Sequence, residues 1–324
     1  MSHHIVFLDN EGIGPSVRLP ALPFAHTWQS YPYTAPEQVV ERLRGATVAL
    51  TCSVPLRAEH LRQLPDLKMI SLALTGTDIV DLDYCAEHGI VVTNVPGYAA
   101  NTVAEHVLAM MFELIRRPSA YHRLMCKVHR GETAARNIYF DYRIRNVRGK
   151  TMGIIGNGAI AQRLAELARC LGMTVWFYDK KGEFQGDDYI PLERLLACSD
   201  VLSLNVPLND ETRNMIGATE LARMKPDAVL INTARGGVVN ENDLVEALSA
   251  GVIGGAALDV LVDEPVRPDD PIFRLADHDN FILNPHVAWS SEDAMQDLLD
   301  KAFGNIVQFA NGATPIFAIH KVAA

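Results

Sequence analysis

The chain has 324 residues, 48% of them hydrophobic and 21% charged; this excludes a disordered chain and exceeds what one core usually fills, so two domains are expected. A net charge of −10 with no dense Lys/Arg block excludes a broad nucleic-acid surface, and the first twenty residues lack an apolar signal core while no apolar run is long enough to cross a bilayer, so no membrane partner is expected. Five scattered cysteines (Cys52, Cys85, Cys126, Cys170, Cys198) without a C-x-x-C pair read as reduced thiols of a cytoplasmic protein, and no metal site is expected.

From the start, short β-branched runs alternate with helical stretches. Strands are expected at Ile5–Asp9, Thr47–Cys52, Lys68–Leu74 and Ile90–Val95, and helices near Pro36–Arg44, Ala58–Leu64 and Leu82–His88. This alternation describes a parallel α/β sheet. Asn101–Arg117 predicts a long helix with Val103, Val107, Met110, Met111, Leu114 and Ile115 on one apolar stripe, stopped by Pro118 and placed as a connector between domains. From Ser119 to Lys150 the chain reads as an irregular polar loop containing Tyr139, Phe140 and Tyr142, and so long a loop usually has a function or a partner.

A second series follows, with strands near Thr151–Ile155, Thr174–Tyr178, Asp200–Leu204, Ala228–Thr233, Gly255–Val260 and Phe281–Leu283. Six parallel strands with helices between them fit a Rossmann-type, doubly wound dinucleotide-binding sheet. A final helix over Ser291–Asn311 is expected to fold back onto the first domain. The predicted organisation is therefore a smaller domain made of residues 1–100 and 290–324, and a dinucleotide-binding domain of residues 101–289.

In Gly156-Asn157-Gly158-Ala159-Ile160-Ala161 a glycine fingerprint sits between a predicted strand and a predicted helix, the context that gives it meaning. The first glycine permits the turn, and the second leaves room for a pyrophosphate on the helix N-terminus. Alanine at the third position is a mild departure. Asp179 ends the next strand, 18 residues after Ala161, where a carboxylate accepts ribose hydroxyls and repels a 2′-phosphate, which favours NAD over NADP. Lys180-Lys181, directly afterwards, pull the other way because cations attract a phosphate.

Three polar residues follow three strand ends of this sheet: Arg235 in Thr233-Ala234-Arg235-Gly236-Gly237, Glu264 in Asp263-Glu264-Pro265, and His286 after Pro285. Ligands bind outside such strand ends in open α/β sheets. Hydride addition to C2 of a 2-keto acid leaves negative charge on the carbonyl oxygen, so the site needs a proton donor and a cation that holds the carboxylate. Histidine suits the first task, and the planar fork of arginine the second. A carboxylate beside the histidine orients its ring and favours its protonated form. Singly, each residue also reads as an ordinary surface or turn residue.

Together, Leu74-Thr75-Gly76-Thr77-Asp78, Asn101-Thr102-Val103-Ala104-Glu105, the fingerprint at Gly156, Pro207-Leu208 with Glu211-Thr212, Thr233-Ala234-Arg235-Gly236, Asp259 with Glu264-Pro265, and Pro285-His286 resemble the D-isomer-specific 2-hydroxyacid dehydrogenase family over almost the whole chain. The resemblance implies a flavodoxin-like α/β substrate domain beside the Rossmann domain. It implies Arg235, Glu264 and His286 as catalytic residues, and substrate contacts from Thr75, Gly76, Arg235 and His286. It implies cofactor contacts from Thr102, Gly156, Asn157, Gly158, Ala159, Ile160, Asp179, Val206, Pro207, Thr212, Thr233, Ala234, Arg235, Asp259, His286 and Ala288.

Within the family, Leu72–Thr77 and His286-Val287-Ala288-Trp289 look most like the glycerate dehydrogenases, which reduce hydroxypyruvate and often accept glyoxylate. Leu204-Asn205-Val206-Pro207 departs from the pattern by lacking a histidine before the proline. Phe140 stands where glycerate-type relatives tend to carry tryptophan, which leaves another small 2-keto acid, such as the partner of D-lactate or of 3-phosphoglycerate, open as substrate. An NAD(H)-sensing corepressor-like binding protein of the same family is the alternative without turnover. The resemblance also implies a homodimer through residues 119–150.

Overall fold

The computed structural model describes residues 3–179 and 186–319; Lys180 and Lys181 lie outside the described residues. The chain forms two compact units, one of residues up to 99 with those from 290 onward, the other of residues 100–289.

In the first unit the elements run β1 (His3–Phe7), β2 (His26–Ser30), α1 (Val39–Arg42), β3 (Val48–Thr51), α2 (Ala58–Leu61), β4 (Met69–Leu72), α3 (Leu82–Glu87) and β5 (Val91–Thr93). The strands are parallel in the order β2-β1-β3-β4-β5, the flavodoxin-like winding. Side chains alternate between two covered faces, as a parallel sheet demands. Val6, Ala49 and Ile70 pack into one cluster with Leu43, Leu61 and Cys85, and Ile5, Val48 and Met69 into another with Ile306. The strand β2 is absent from the sequence reading, because His26-Thr27-Trp28-Gln29-Ser30 is a half-exposed edge strand of mostly polar residues.

The second unit begins with α4 (Ala100–Arg116), which buries the expected stripe of Val103, Val107, Met110, Met111, Leu114 and Ile115. It packs with Ile154 and Ile231 of the sheet rather than acting only as a connector. Pro118 does not simply stop the helical run. Arg117 turns left-handed at φ 58° and Pro118 becomes the first residue of α5 (Pro118–His129), where its missing N–H costs nothing. The expectation of an irregular loop from Ser119 onward is thus wrong for its first third. The helix was missed because only Ala120 and Leu124 are buried along an otherwise polar segment.

There follow β6 (Thr151–Ile155), α6 (Ala159–Cys170), β7 (Thr174–Tyr178), α7 (Leu192–Cys198), β8 (Val201–Leu204), α8 (Ala218–Leu221), β9 (Val229–Asn232), α9 (Glu241–Ser249), β10 (Gly255–Leu258) and β11 (Phe281–Leu283). They make a parallel six-stranded sheet ordered β11-β10-β9-β8-β6-β7. An isolated parallel bridge between Phe177 and Tyr189 extends it by one rung beyond β7. One face packs on α7, α8 and α9 through Leu195, Leu221 and Leu244; the other packs on α4 and α6 through Val107 and Leu164. The sheet is doubly wound.

The last helix, α10 (Glu292–Ala310), is capped by the Ser291 hydroxyl accepting from Ala294 N–H. It returns to the first sheet, where Ser71 donates to the Ala302 carbonyl at 3.2 Å.

Candidate active site

At the carboxyl end of β6 the chain turns through Gly156, whose φ of 99° suits glycine. A Cβ there would lie 2.3 Å from the Asn205 carbonyl oxygen, so no side chain fits. Gly158 is different. It has an extended backbone, caps α6, and a Cβ on it would meet nothing within 4 Å. Space and first-turn N–H groups at a helix N-terminus suit a phosphate, so Gly156–Ile160 fit a dinucleotide pyrophosphate. Asp179 follows the end of β7 as expected.

The loops after β9, β10 and β11 are built on one another. Asn232, the buried last residue of β9, accepts Ala234 N–H and donates to the Arg235 carbonyl, both at 3.0 Å. This folds Thr233-Ala234-Arg235 into a tight bend with the Arg235 guanidinium exposed. Gly236 follows because the next loop runs directly over it: a Cβ there would fall 1.8 Å from the Leu261 carbonyl oxygen and 2.5 Å from Val262 N. The loop carrying Glu264 thus lies against the loop carrying Arg235.

Glu264 Oε1 accepts Leu261 N–H at 2.9 Å, and His286 Nδ1 donates to Glu264 Oε2 at 2.7 Å. Burial pushes the Glu264 carboxyl upward. The hydrogen bonds from His286 and Leu261, with the charges of His286 and Arg235, outweigh it and hold the group below the ordinary carboxylate value. His286 itself has φ 54°, a conformation that costs a non-glycine residue about 1–3 kcal/mol and persists only where its surroundings enforce it. They do so here. His286 N–H donates to the Asp259 carbonyl at 2.8 Å, and the Asp259 carboxylate accepts Val287 N–H and Ala288 N–H, each at 2.9 Å. From α4, Thr102 donates to the Ala288 carbonyl at 3.2 Å, and His106 Nε2 stands 3.9 Å from Asp259 Oδ1.

The second unit therefore brings together Arg235, Glu264 and His286, with Thr102, Thr233, Ala234, Asp259 and Ala288 around them. The Thr233 hydroxyl is buried without a hydrogen-bond partner among the described residues, as suits a group that meets a cofactor. Two expected cofactor residues turn inward. Asp259 is only 1% exposed with both oxygens on the turn after β11, and buried Thr212 donates to the Pro207 carbonyl at 2.6 Å, fixing the Val206-Pro207 loop. Thr75 and Gly76 lie in the first unit past the end of β4, where the Thr75 hydroxyl donates to the Val95 carbonyl and its own carbonyl accepts from Asn94. Sequence reasoning missed Asn232, His106 and the demand for glycine at 236. Only Asn232 carried a signal, as a polar residue closing the apolar run Val229-Leu230-Ile231.

Residues 108–288 match the family described as D-isomer specific 2-hydroxyacid dehydrogenase, NAD binding domain. The chain is 46% identical over 315 residues to a glycerate dehydrogenase of Methylorubrum extorquens, covering 96% of this chain and 98% of that one. It is 31% identical to a hydroxypyruvate reductase of Blautia hydrogenotrophica over 88% of each chain. Its fold is similar to that of a D-lactate dehydrogenase of Aquifex aeolicus complexed with NAD and lactic acid, at a TM-score of 0.77 and 29% identity, covering 95% of this chain and 96% of that one. With two parallel-sheet α/β units, a glycine turn at the head of an NAD-binding sheet and a paired His286 and Glu264 beside Arg235, the chain belongs to the D-isomer-specific 2-hydroxyacid dehydrogenases, NAD-linked oxidoreductases.

Proposed function

We propose that the chain reduces hydroxypyruvate, and glyoxylate beside it, to D-glycerate and glycolate with NADH. The observation that carries this is the 2.7 Å contact of His286 Nδ1 with Glu264, on a loop packed against that of Arg235. The names of the relatives above, a glycerate dehydrogenase and a hydroxypyruvate reductase, support the substrate class. When bound, NADH supplies the hydride; the remaining tasks fall to the protein. The guanidinium of Arg235 grips the substrate carboxylate and polarises the adjacent carbonyl. With Nδ1 held by Glu264, Nε2 of His286 delivers a proton to the carbonyl oxygen and takes it back in the oxidative direction. Thr75 and Gly76, past the end of β4, are substrate-contact candidates on the family resemblance alone.

Gly156, Asn157, Gly158, Ala159 and Ile160 hold the pyrophosphate and Asp179 the adenosine ribose, which favours NAD over NADP. Thr102, Val206, Pro207, Thr233, Ala234 and Ala288 line the nicotinamide side, with Thr212 and Asp259 bracing them from behind. The segment after α5 exposes Ile138 and Phe140, the latter 87% accessible, and we read it as the contact of a homodimer. Five free thiols accord with a cytoplasmic location.

The test is loss of NADH absorbance with a panel of hydroxypyruvate, glyoxylate, pyruvate and bulkier keto acids, repeated with His286→Ala. Hydroxypyruvate should give the highest kcat/KM, and the variant should lose roughly 10²–10⁴-fold in turnover while still binding NADH. Unchanged turnover in the variant would overturn the assignment.

A further inference from the structure

Glu264 is presented to His286 by a short loop, residues 259–264, and the hydrogen bonds that hold this loop come from three directions. Asp259 N–H donates to the Asn232 carbonyl at 2.9 Å, tying the loop's start to the end of β9. Leu261 N–H donates to Glu264 itself at 2.9 Å, closing the loop on its own carboxylate. Val262 N–H donates to Glu241 Oε1 at 2.8 Å. Glu241 is the first residue of α9, behind the Asn240 cap whose side chain accepts Asp243 N–H. The loop is thus fastened to the sheet at its start and to a helix at its middle.

The place is an uncomfortable one for a carboxylate. Glu241 is half-buried, and burial pushes its carboxyl up, as do the neighbouring charges of Asp270, Asp263 and Glu264; the Val262 N–H opposes them. The α9 N-terminus favours an acid in its first turn, but exposed first-turn positions would serve that end without burial beside three other acids. The distinctive contact that the side chain makes is with the Val262 amide. Val262 follows Leu261, whose carbonyl passes over Gly236 and whose N–H meets Glu264. A pull on Val262 is therefore felt at both the Arg235 bend and the Glu264 carboxylate.

We propose that Glu241 is a positioning residue for the reaction: by anchoring Val262 N–H it fixes the loop that aims Glu264 at His286 Nδ1. This rests on the reading that Glu264 partners His286 in proton transfer. What the grip requires is an acceptor oxygen at the right reach. Glutamine supplies that oxygen without charge, aspartate supplies charge without the reach, and leucine supplies neither.

Four variants separate the possibilities: Glu241→Gln, Glu241→Asp, Glu241→Leu and Glu264→Gln, with the double variant Glu241→Leu/Glu264→Gln, each assayed for kcat, KM and NADH affinity by fluorescence. Glu241→Gln should stay within about twofold of the wild-type kcat, whereas Glu241→Asp and Glu241→Leu should lose roughly tenfold, the scale of a displaced catalytic group, with NADH affinity unchanged. The double variant should be no slower than Glu264→Gln alone, because both act on one interaction. A wild-type kcat in Glu241→Leu alongside a slow Glu264→Gln would overturn the inference and leave the proton-transfer reading standing. So would losses that multiply in the double variant, or a Glu241→Asp that works where Glu241→Gln does not. A wild-type rate in Glu264→Gln would overturn the proton-transfer reading itself. If Glu241→Leu does not fold, the Gln and Asp variants decide alone.

Discussion

Asp259 holds the turn that presents His286: its carbonyl accepts His286 N–H and its two carboxylate oxygens accept the next two amides, at 2.8–2.9 Å. The left-handed backbone of His286 is enforced by these three bonds from one buried residue. Asparagine in its place offers one acceptor oxygen and an NH2 group that faces a backbone donor. Asp259→Asn should therefore lower stability by about 2 kcal/mol, the worth of a charge-assisted hydrogen bond, and kcat by about tenfold or more through misplacement of the ring. Denaturant unfolding and steady-state kinetics on one preparation check both.

Two glycines of the fingerprint should fail in different ways. Gly156→Ala forces a Cβ against the Asn205 carbonyl from a positive φ and should cost roughly 3 kcal/mol of stability. The Cβ of Gly158→Val would meet no protein atom within 4 Å, so thermal stability should fall only by about 1 kcal/mol, the cost of losing a favoured N-cap residue of α6. Its NADH dissociation constant should nevertheless rise by about tenfold or more, which is 1.4 kcal/mol. Tight NADH binding by Gly158→Val would mean that the α6 N-terminus is not the pyrophosphate site.

Arg235→Lys keeps the charge but not the fork. Because the guanidinium is exposed and its own protein contact is the neighbouring Ala234 carbonyl, the fold should be untouched. The ratio kcat/KM for hydroxypyruvate should fall about 30-fold, equivalent to one charge-assisted hydrogen bond of roughly 2 kcal/mol.

Glu264 is held below its ordinary value in the folded chain, so the folded state favours its ionised form. Its stabilising contribution is complete above the unfolded-state value of about 4.3 and is lost as pH falls through the lower folded value. Between about pH 5 and pH 3 the wild type should therefore lose stability faster than Glu264→Gln, while the two curves run parallel above pH 6 in this respect. Melting temperatures across that range measure it. A wild-type curve no steeper than that of the variant would contradict the depressed value.

Much of this was legible in the sequence because the strands of the second unit are buried on both faces and read as largely apolar runs, Val229-Leu230-Ile231 and Gly255–Leu258 among them. The glycine turn and the residues Arg235, Glu264 and His286 follow directly from those strand ends. Edge strand β2 and helix α5 were not legible, since a half-exposed element carries a diluted pattern. The supporting contacts were hidden for another reason. That Asp259 faces the turn after β11, or that Gly236 lies under Leu261, depends on packing between loops far apart in sequence, which periodicity does not encode.

The three loops that bear Arg235, Glu264 and His286 spring from β9, β10 and β11, which are consecutive neighbours in the sheet. Strand spacing in any sheet is about 4.8 Å, so the three roots span only about 10 Å, close enough for all three side chains to reach one small molecule. The sheet thus fixes a separation that mutation does not restretch. Engineering toward longer keto acids should leave these roots alone and enlarge what surrounds the substrate's far end.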